Sequence, residues 1–396
     1  MRRSESQRQN PHRSRRQLAL ALAYVIAALA SAGIFLAWRV YVHHATLVSR
    51  EFFFIGGIHQ ADDTAGFRMA PHRTGFAVLQ GGVQDPARRI PLRTDARGFR
   101  IPLASDASRP SGAGLAGIGC SCTFGHGVTA ESTWVEVAGG RLGLPVDNLG
   151  VCAYSTVTSV ELLRRSIAAL RPRLVVYAFG NFHLERSRRP WSDVAVFQPS
   201  LTTDHGEPRL LPPRFDNHLI FALSPGIERE YYQEKLEGRT PHFDLEKLRL
   251  LWPLACQDLG RTLHPATWRA RFAPPAVLSD TTLARWAIGE LLRLARPYGT
   301  RVVLLYFPAF YGETPLPGLL QAVHEHANDA DFLFVDTAPG LFAPVHNQDQ
   351  YAARFQVPRD GHPNAAMHQE MARVLVAALT AAPWLAEAGS ETIRRK

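Results

Sequence analysis

The chain has 396 residues, a length that suits one large domain or one domain with a smaller module. Its 46% hydrophobic and 20% charged residues describe a packed globular protein and exclude a disordered one, and no repeat of solenoid or propeller period is present. The net charge of +9 invites a nucleic-acid reading, but Arg2, Arg3, Arg8, Arg13, Arg15 and Arg16 against Glu5 hold +5 of it before residue 17, which leaves +4 for the rest and no nucleic-acid motif beside it.

Residues 1–16 form this basic tail, and residues 17–38 (QLALALAYVIAALASAGIFLAW) contain no charge. At about 1.5 Å per residue, such a helix crosses a hydrocarbon core of roughly 30 Å. Because the arginines precede it and only Arg39 follows at once, the positive-inside rule puts the N-terminus in the cytoplasm. The expectation is a single-pass anchor in the inner (cytoplasmic) membrane with the main domain on the periplasmic side. Two rival readings are a cleaved signal ending at Ala28-Leu29-Ala30 and a twin-arginine signal at Ser14-Arg15-Arg16. Gly33 to Val42 continue apolar past the cleavage site, which favours the anchor; all three readings export the main domain.

Residues 43–113 read as a β-rich N-terminal module, with strands at 51–55 and 75–79 and a turn at 93–100. From residue 114 the pattern alternates. Strands are expected at 115–119, 146–150, 174–179, 302–307 and 332–335, and helices at 133–142, 160–170, 283–295 and 365–379. Such alternation implies an α/β domain over 114–382, with a mostly parallel sheet sandwiched by helices. The pattern breaks at 184–280, which reads as a partly helical insertion, a lid or a surface decoration. Residues 383–396 are a C-terminal tail.

Four stretches carry chemistry. Gly119-Cys120-Ser121-Cys122-Thr123-Phe124-Gly125-His126-Gly127 follows an apolar strand, where a serine can be exposed with its own N–H toward a developing oxyanion. Asp147-Asn148-Leu149-Gly150 ends the next strand, and its glycine lets backbone approach a ligand. Phe179-Gly180-Asn181-Phe182-His183 follows the most apolar strand, and its asparagine amide can donate to an oxyanion. Asp360-Gly361-His362-Pro363-Asn364 precedes the last helix. A neutral histidine there can take a serine proton, and a carboxylate can orient it. Each stretch alone reads as an ordinary turn or helix cap; their joint order, each at a strand end, argues for a site.

This order resembles the SGNH/GDSL hydrolases, whose blocks run Gly-Asp-Ser, Gly, Gly-x-Asn and a late Asp and His. The likeness covers 114–184 and 298–382, and a weaker likeness extends to the lead-in of some extracellular members at 93–100. It implies a flavodoxin-like three-layer fold, with Ser121 as nucleophile, Gly150 and Asn181 joining the Ser121 N–H as oxyanion donors, His362 as base and Asp360 as its orienter. Three departures stand out: Cys120 replaces the Asp before the nucleophile, Phe182 follows Asn181, and the closing motif is Asp-x-His, a short spacing similar to that of polysaccharide O-acetylation proteins. With one residue between them, Asp360 and His362 converge only outside a regular helix.

The resemblance implies a serine esterase that cleaves an ester-bearing small molecule or an acylated glycan through an acyl-serine, with no metal and no organic cofactor. The alternatives are an O-acyltransferase on the same residues, an inactive glycan- or protein-binding domain, and, on the anchor alone, a lipase. Cys120 is expected to point into the core. Cys122 and Cys152 follow neighbouring strands and are disulfide candidates, and Cys256 reads as a buried thiol. His126 and His183 are substrate contacts or structural. Asp62-Asp63 and Glu228-Arg229-Glu230 read as solvated faces.

Overall fold

A computed structural model describes residues 11–105, 113–194, 196–264 and 278–382, with side chains from residue 16 onward. The expected tails fall outside the described residues, except for the backbone from Pro11. The described residues form two compact units.

The first unit pairs α1 (Pro11–Ser49) with a helix of the expected insertion, Leu245–Leu263. Helix α1 is longer than the uncharged stretch, and the apolar side chains of that stretch are uncovered: Leu18, Leu22, Tyr24, Ile26 and Leu29 are all exposed. It is the one described helix long and apolar enough to cross a membrane. Where the apolar run stops, polar anchoring begins. Arg39 Nε donates to Asp258 at 2.7 Å and His43 Nε2 lies 2.8 Å from the same carboxylate.

The second unit takes Arg50 to Thr240 and the chain from 278 onward. It begins with β1 (Phe53–Ile55), β2 (His59–Asp62), β3 (Gly66–Met69), β4 (Thr74–Val78) and β5 (Arg89–Arg93), which pair as two antiparallel ribbons. These ribbons are not a separate module. Their residues Phe67, Ala77 and Leu92 share one core with the main sheet, and Arg100 bridges to Asn148. Asp62 is not a solvated face either: it is buried, accepts from the Thr64 and Ala65 amides and pairs with Arg68 and Arg165. Glu228 is likewise half-buried and holds Arg50 at 3.0 Å.

The main sheet uses β6 (Leu115–Ile118), β7 (Val146–Asn148) and β8 (Leu174–Phe179). Between them run the one-turn helix α2 (Ser121–Phe124), α3 (Trp134–Leu142) and α4 (Thr156–Leu170). Every residue of β8 is buried, as befits a strand covered on both faces. Gly117 of β6 admits α3 closely, since a Cβ there would stand 2.7 Å from Val135 Cγ2. Helix α4 starts on Ser155, whose hydroxyl accepts from the Thr158 N–H, and stops at Arg171 in the left-handed region before Pro172.

The insertion contains α5 (Phe182–Arg188), the hairpin β9 (Ser200–Asp204) and β10 (Glu207–Leu211), α6 (His218–Leu236) and α7 (Leu245–Leu263). It divides: α6 belongs to the sheet's unit and α7 to that of α1. The sheet resumes with α8 (Asp280–Ala295), β11 (Arg301–Tyr306), α9 (Pro317–Glu325), β12 (Phe332–Asp336), α10 (Ala338–Phe342), α11 (Gln348–Phe355) and α12 (Ala365–Ala381).

The five sheet strands are all parallel, in the order β12-β11-β8-β6-β7. Helix α3 packs on α12, and α4 packs on α8. This is the expected α/β fold with a helix-flanked parallel sheet. The strand order reverses between β6 and β8, and ligands of open α/β sheets bind at the carboxyl ends of strands at such a reversal.

Helices α3 and α12 share a buried polar contact: the Trp134 N–H donates to His368 Nδ1 at 3.1 Å. Burial, followed by the charges of Arg100 and His362, lowers the His368 pKa to about 3. The unfolded chain therefore binds a proton that the folded chain refuses, so this contribution is full above the unfolded value of 6.5 and is lost as pH falls toward 3. At pH 5 it costs about 2 kcal/mol relative to neutral pH. Denaturant unfolding of wild type and His368→Gln between pH 7.5 and 5 checks this: the variant should lose less stability on acidification.

Candidate active site

Ser121 opens α2 directly beyond β6. Gly119, at φ 145°, turns the chain, because a Cβ there would meet Thr123 Oγ1 at 2.4 Å; Thr123 Oγ1 in turn donates to the Ile118 carbonyl. The helix ends on Gly125 in the left-handed region. Arg100, fully buried, ties the turn down. Its Nη1 donates to the carbonyls of Phe124 and Gly125 at 2.5 and 2.7 Å, and its Nη2 donates to that of Val128 at 2.6 Å. Burial brings the Arg100 pKa down to about 10, which leaves it charged at neutral pH. Arg100→Met would take the guanidinium donors from three carbonyls, of which that of Gly125 keeps the Val128 N–H at 3.2 Å. The expected loss is about 3 kcal/mol or more, read as a lowered denaturant midpoint.

His362 comes from the loop between α11 and α12. Val357 donates its N–H to the His362 carbonyl and receives the N–H of Asp360, while Asn364 caps α12 through the Met367 N–H. Arg359 and Gly361 both have positive φ, so the Asp-x-His run is a turn and not a helix, which is what convergence of its two side chains requires.

These segments meet. His362 Nε2 lies 2.9 Å from Ser121 Oγ, and His362 Nδ1 lies 2.5 Å from Asp360 Oδ1. Asp360 is almost closed to solvent and His362 is one-third exposed. Burial alone would raise the Asp360 pKa, but contacts with His126 and His362 outweigh it and hold the carboxyl well below the usual range. A carboxylate, an imidazole and a hydroxyl thus stand in one line, able to pass the serine proton to the ring and to stabilise the ring once charged. The hydroxyl opens on a cavity of about 190 Å³, walled by Phe182, Phe307, Pro308, Ala309 and Met367, with Arg186 of α5 the one charge of the insertion on its lining. The hairpin and α6 line none of it, so among the described residues they are no lid over it.

The expected oxyanion donors sit nearby but are engaged. The Gly150 N–H donates to Asn148 Oδ1 at 2.9 Å, and Asn148 Nδ2 donates to the Thr123 carbonyl at 3.0 Å. What glycine gives here is closeness, since a Cβ at position 150 would stand 2.1 Å from the Phe124 nitrogen. The Asn181 amide donates to Glu313 Oε1 at 2.9 Å and to the Thr314 carbonyl at 2.8 Å, so its two protons staple the end of β8 to the loop after β11. The Ser121 N–H, at the first position of α2, has no carbonyl four residues back in the helix and is the donor that the geometry offers.

The thiols do not compete with the serine. Cys120 is fully buried, as expected from its place before the turn. Cys122 and Cys152 are free and buried rather than disulfide-bonded, and both are held protonated: Cys122 chiefly by its contact with Cys120, Cys152 chiefly by burial. Cys256 is exposed, contrary to expectation, on α7. His183 is structural: it is fully buried, accepts from the Gly180 N–H at 2.9 Å and packs against Phe179, Phe182 and Phe307. His126 lies against Asp360 and His362. The sequence placed Arg100 only at the end of the turn and lead-in at 93–100, with no role of its own, and nothing in the residue pattern marked Arg186; each is one of many arginines in an arginine-rich chain.

No family model matches the chain, and no curated protein matches it. Solved structures similar to it include a putative lipolytic protein of the G-D-S-L family from Desulfitobacterium hafniense, at 13% identity over 67% of this chain and 99% of that one, with a TM-score of 0.32. An acetylxylan esterase from Geobacillus stearothermophilus shares 16% identity over 68% and 96%, with a TM-score of 0.32. A carbohydrate esterase family 2 enzyme with a carbohydrate-binding domain, from Corynascus thermopiles (Myceliophthora fergusii), shares 13% over 84% and 92%, with a TM-score of 0.35. Likenesses of this degree assign no activity to the chain; that rests on the site itself.

Proposed function

We propose that this chain is a serine ester hydrolase of the SGNH/GDSL type, held at a membrane by α1. The observation that carries the reading is the hydrogen-bonded line from Asp360 through His362 to Ser121, assembled from two distant segments at the reversal point of a parallel sheet. His362 Nε2 takes the Ser121 proton as Oγ attacks the ester carbonyl, and the Ser121 N–H receives the developing oxyanion. The leaving alkoxide departs with the proton from Nε2. Water then gives a proton to His362 and its oxygen to the acyl carbon, and the carboxylic acid and the serine hydroxyl are released. The relay consumes only water.

The small, largely apolar cavity beside Ser121 favours a short acyl group such as acetyl. An acetylated glycan is the substrate class we carry forward for it. The uncovered apolar surface of α1, with the arginines before it, supports an inner-membrane anchor with the site on the periplasmic side. The test is acetate release from p-nitrophenyl acetate and from acetylated oligosaccharides, together with fluorophosphonate labelling of Ser121. Acetyl transfer to an added sugar in preference to water would redefine the activity as acyl transfer. A well-folded chain that neither labels nor releases acetate would end the esterase reading.

A further inference from the structure

Asp360 meets two histidines. Its Oδ1 faces His362 Nδ1, and its Oδ2 lies 3.5 Å from His126 Nε2. Among the described residues no other hydrogen bond or ion pair reaches Oδ2. We propose that His126 is a positioning residue for the proposed reaction, whose Nε2–H holds Oδ2 of Asp360 so that Oδ1 stays on His362 while the imidazole receives the serine proton. The proposal rests on the esterase reading above.

The placement of His126 is built from both sides. Its N–H donates to the Ser121 carbonyl at 3.0 Å, which ties its position to the nucleophile. Gly125 and Gly127, both at positive φ, flank it, and a Cβ on Gly127 would meet Val357 Cγ2 at 2.6 Å. Val357 is the residue that anchors the Asp360–His362 turn through three backbone hydrogen bonds. The two catalytic segments are therefore pressed together at His126. Its ring lies between Phe54 and His362, with centroid distances of 5.6 and 4.5 Å.

The charged or titratable groups facing the ring are Asp360, His362 and, farther off, Arg100. Burial comes first in lowering the His126 pKa; Asp360 opposes this, while His362 and Arg100 add to it. The ring is thus neutral at neutral pH, with its proton on the nitrogen that faces the carboxylate; Nδ1 is buried without a partner among the described residues. Neutrality suits the role. A second cation stacked on His362 would oppose the imidazolium on which the reaction depends, whereas a neutral donor fixes the carboxylate without that penalty. His126, Asp360 and His362 are also close enough to share a metal ion. Against that, both nitrogens of His362 already serve the Ser121–Asp360 line.

The experiment compares wild type, His126→Phe and His126→Gln as full-length chains in detergent. Active Ser121 is counted with a fluorophosphonate, and p-nitrophenyl acetate turnover is followed across pH. Phenylalanine keeps a packed ring but has no donor; glutamine returns an N–H near the position of Nε2. His126→Phe should lower kcat by about 10- to 100-fold. It should leave KM within about twofold and shift the acid limb of the pH profile to lower pH, because the imidazolium loses part of its support. His126→Gln should recover most of both effects. A Phe variant that turns over like wild type overturns the proposal, as does a Gln variant no better than Phe when both melt like wild type. Wild-type turnover abolished by a chelator and restored by a divalent ion would also overturn it, in favour of a metal site. A wild-type chain that neither labels nor hydrolyses fails earlier, at the esterase reading, and takes this proposal with it.

Discussion

Ser121→Ala should abolish fluorophosphonate labelling and lower ester turnover by about 10⁴- to 10⁶-fold. His362→Ala should do nearly the same, and the double variant should be little worse than either single one. The reason is that the two side chains act as one unit. At 2.9 Å, Nε2 is the only base in line with Oγ among the described residues, and a serine hydroxyl without a base is a weak nucleophile at neutral pH. The buried thiols beside it offer no substitute. Cys120 is closed to substrate, and Cys122 and Cys152 are held protonated. Activity that survived Ser121→Ala but was lost on replacing Cys122 would transfer the nucleophile to sulfur. Circular dichroism and melting of the variants separate lost chemistry from lost fold. Little structural change is expected, because among the described residues the Ser121 side chain makes no hydrogen bond beyond that with His362 and a long 3.9 Å contact to Cys120.

What could be read from the sequence was what depends on periodicity and local turn chemistry. The run from Leu174 to Phe179 is apolar without interruption because both faces of β8 are covered, and so it announced a central parallel strand. Ser121 and the Asp360–His362 pair stood out because one follows an apolar strand and the other precedes the last helix, each in a glycine-containing turn, and Gly119, Gly125 and Gly361 take the positive φ that such turns use. What stayed hidden depends on contacts between segments far apart in the chain. No spacing rule says that the Asn181 amide will be taken by the loop at Glu313 and Thr314, or that Asn148 will reach the Gly150 N–H first. Arg100 illustrates the same limit: an arginine in an arginine-rich stretch gives no sign that it will be buried to hold three carbonyls of the turn at Ser121. The β ribbons read as a module because their alternation differs from that of the sheet, yet they share its core, and core membership is not a local property.

The second large effect is expected at Asp360, which reaches the His362 ring across a single intervening residue. Asp360→Asn keeps the shape of the turn but replaces an acceptor with a group that can donate. His362 Nδ1 then has to give up its proton to accept from the new amide, which puts that proton on Nε2, the nitrogen that must receive one from Ser121. The wrong tautomer should lower kcat by about 10⁴-fold with little change in KM, as tautomer reversal does in serine proteases. Asp360→Ala should cost less than this if the ring can still choose its tautomer, so the order of the two variants discriminates: an alanine variant worse than the asparagine one would mean that charge, not tautomer, is what Asp360 supplies. Stability should respond with the opposite emphasis. The depressed Asp360 pKa gives a contribution that is present above the unfolded value of 3.8 and lost as pH falls below it. Both variants should therefore show a flatter dependence of unfolding midpoint on pH below about 4 than wild type. The two readouts together locate the carboxylate in the machinery, because a buried aspartate that only held the loop would change the midpoint and leave the kcat of the folded fraction alone.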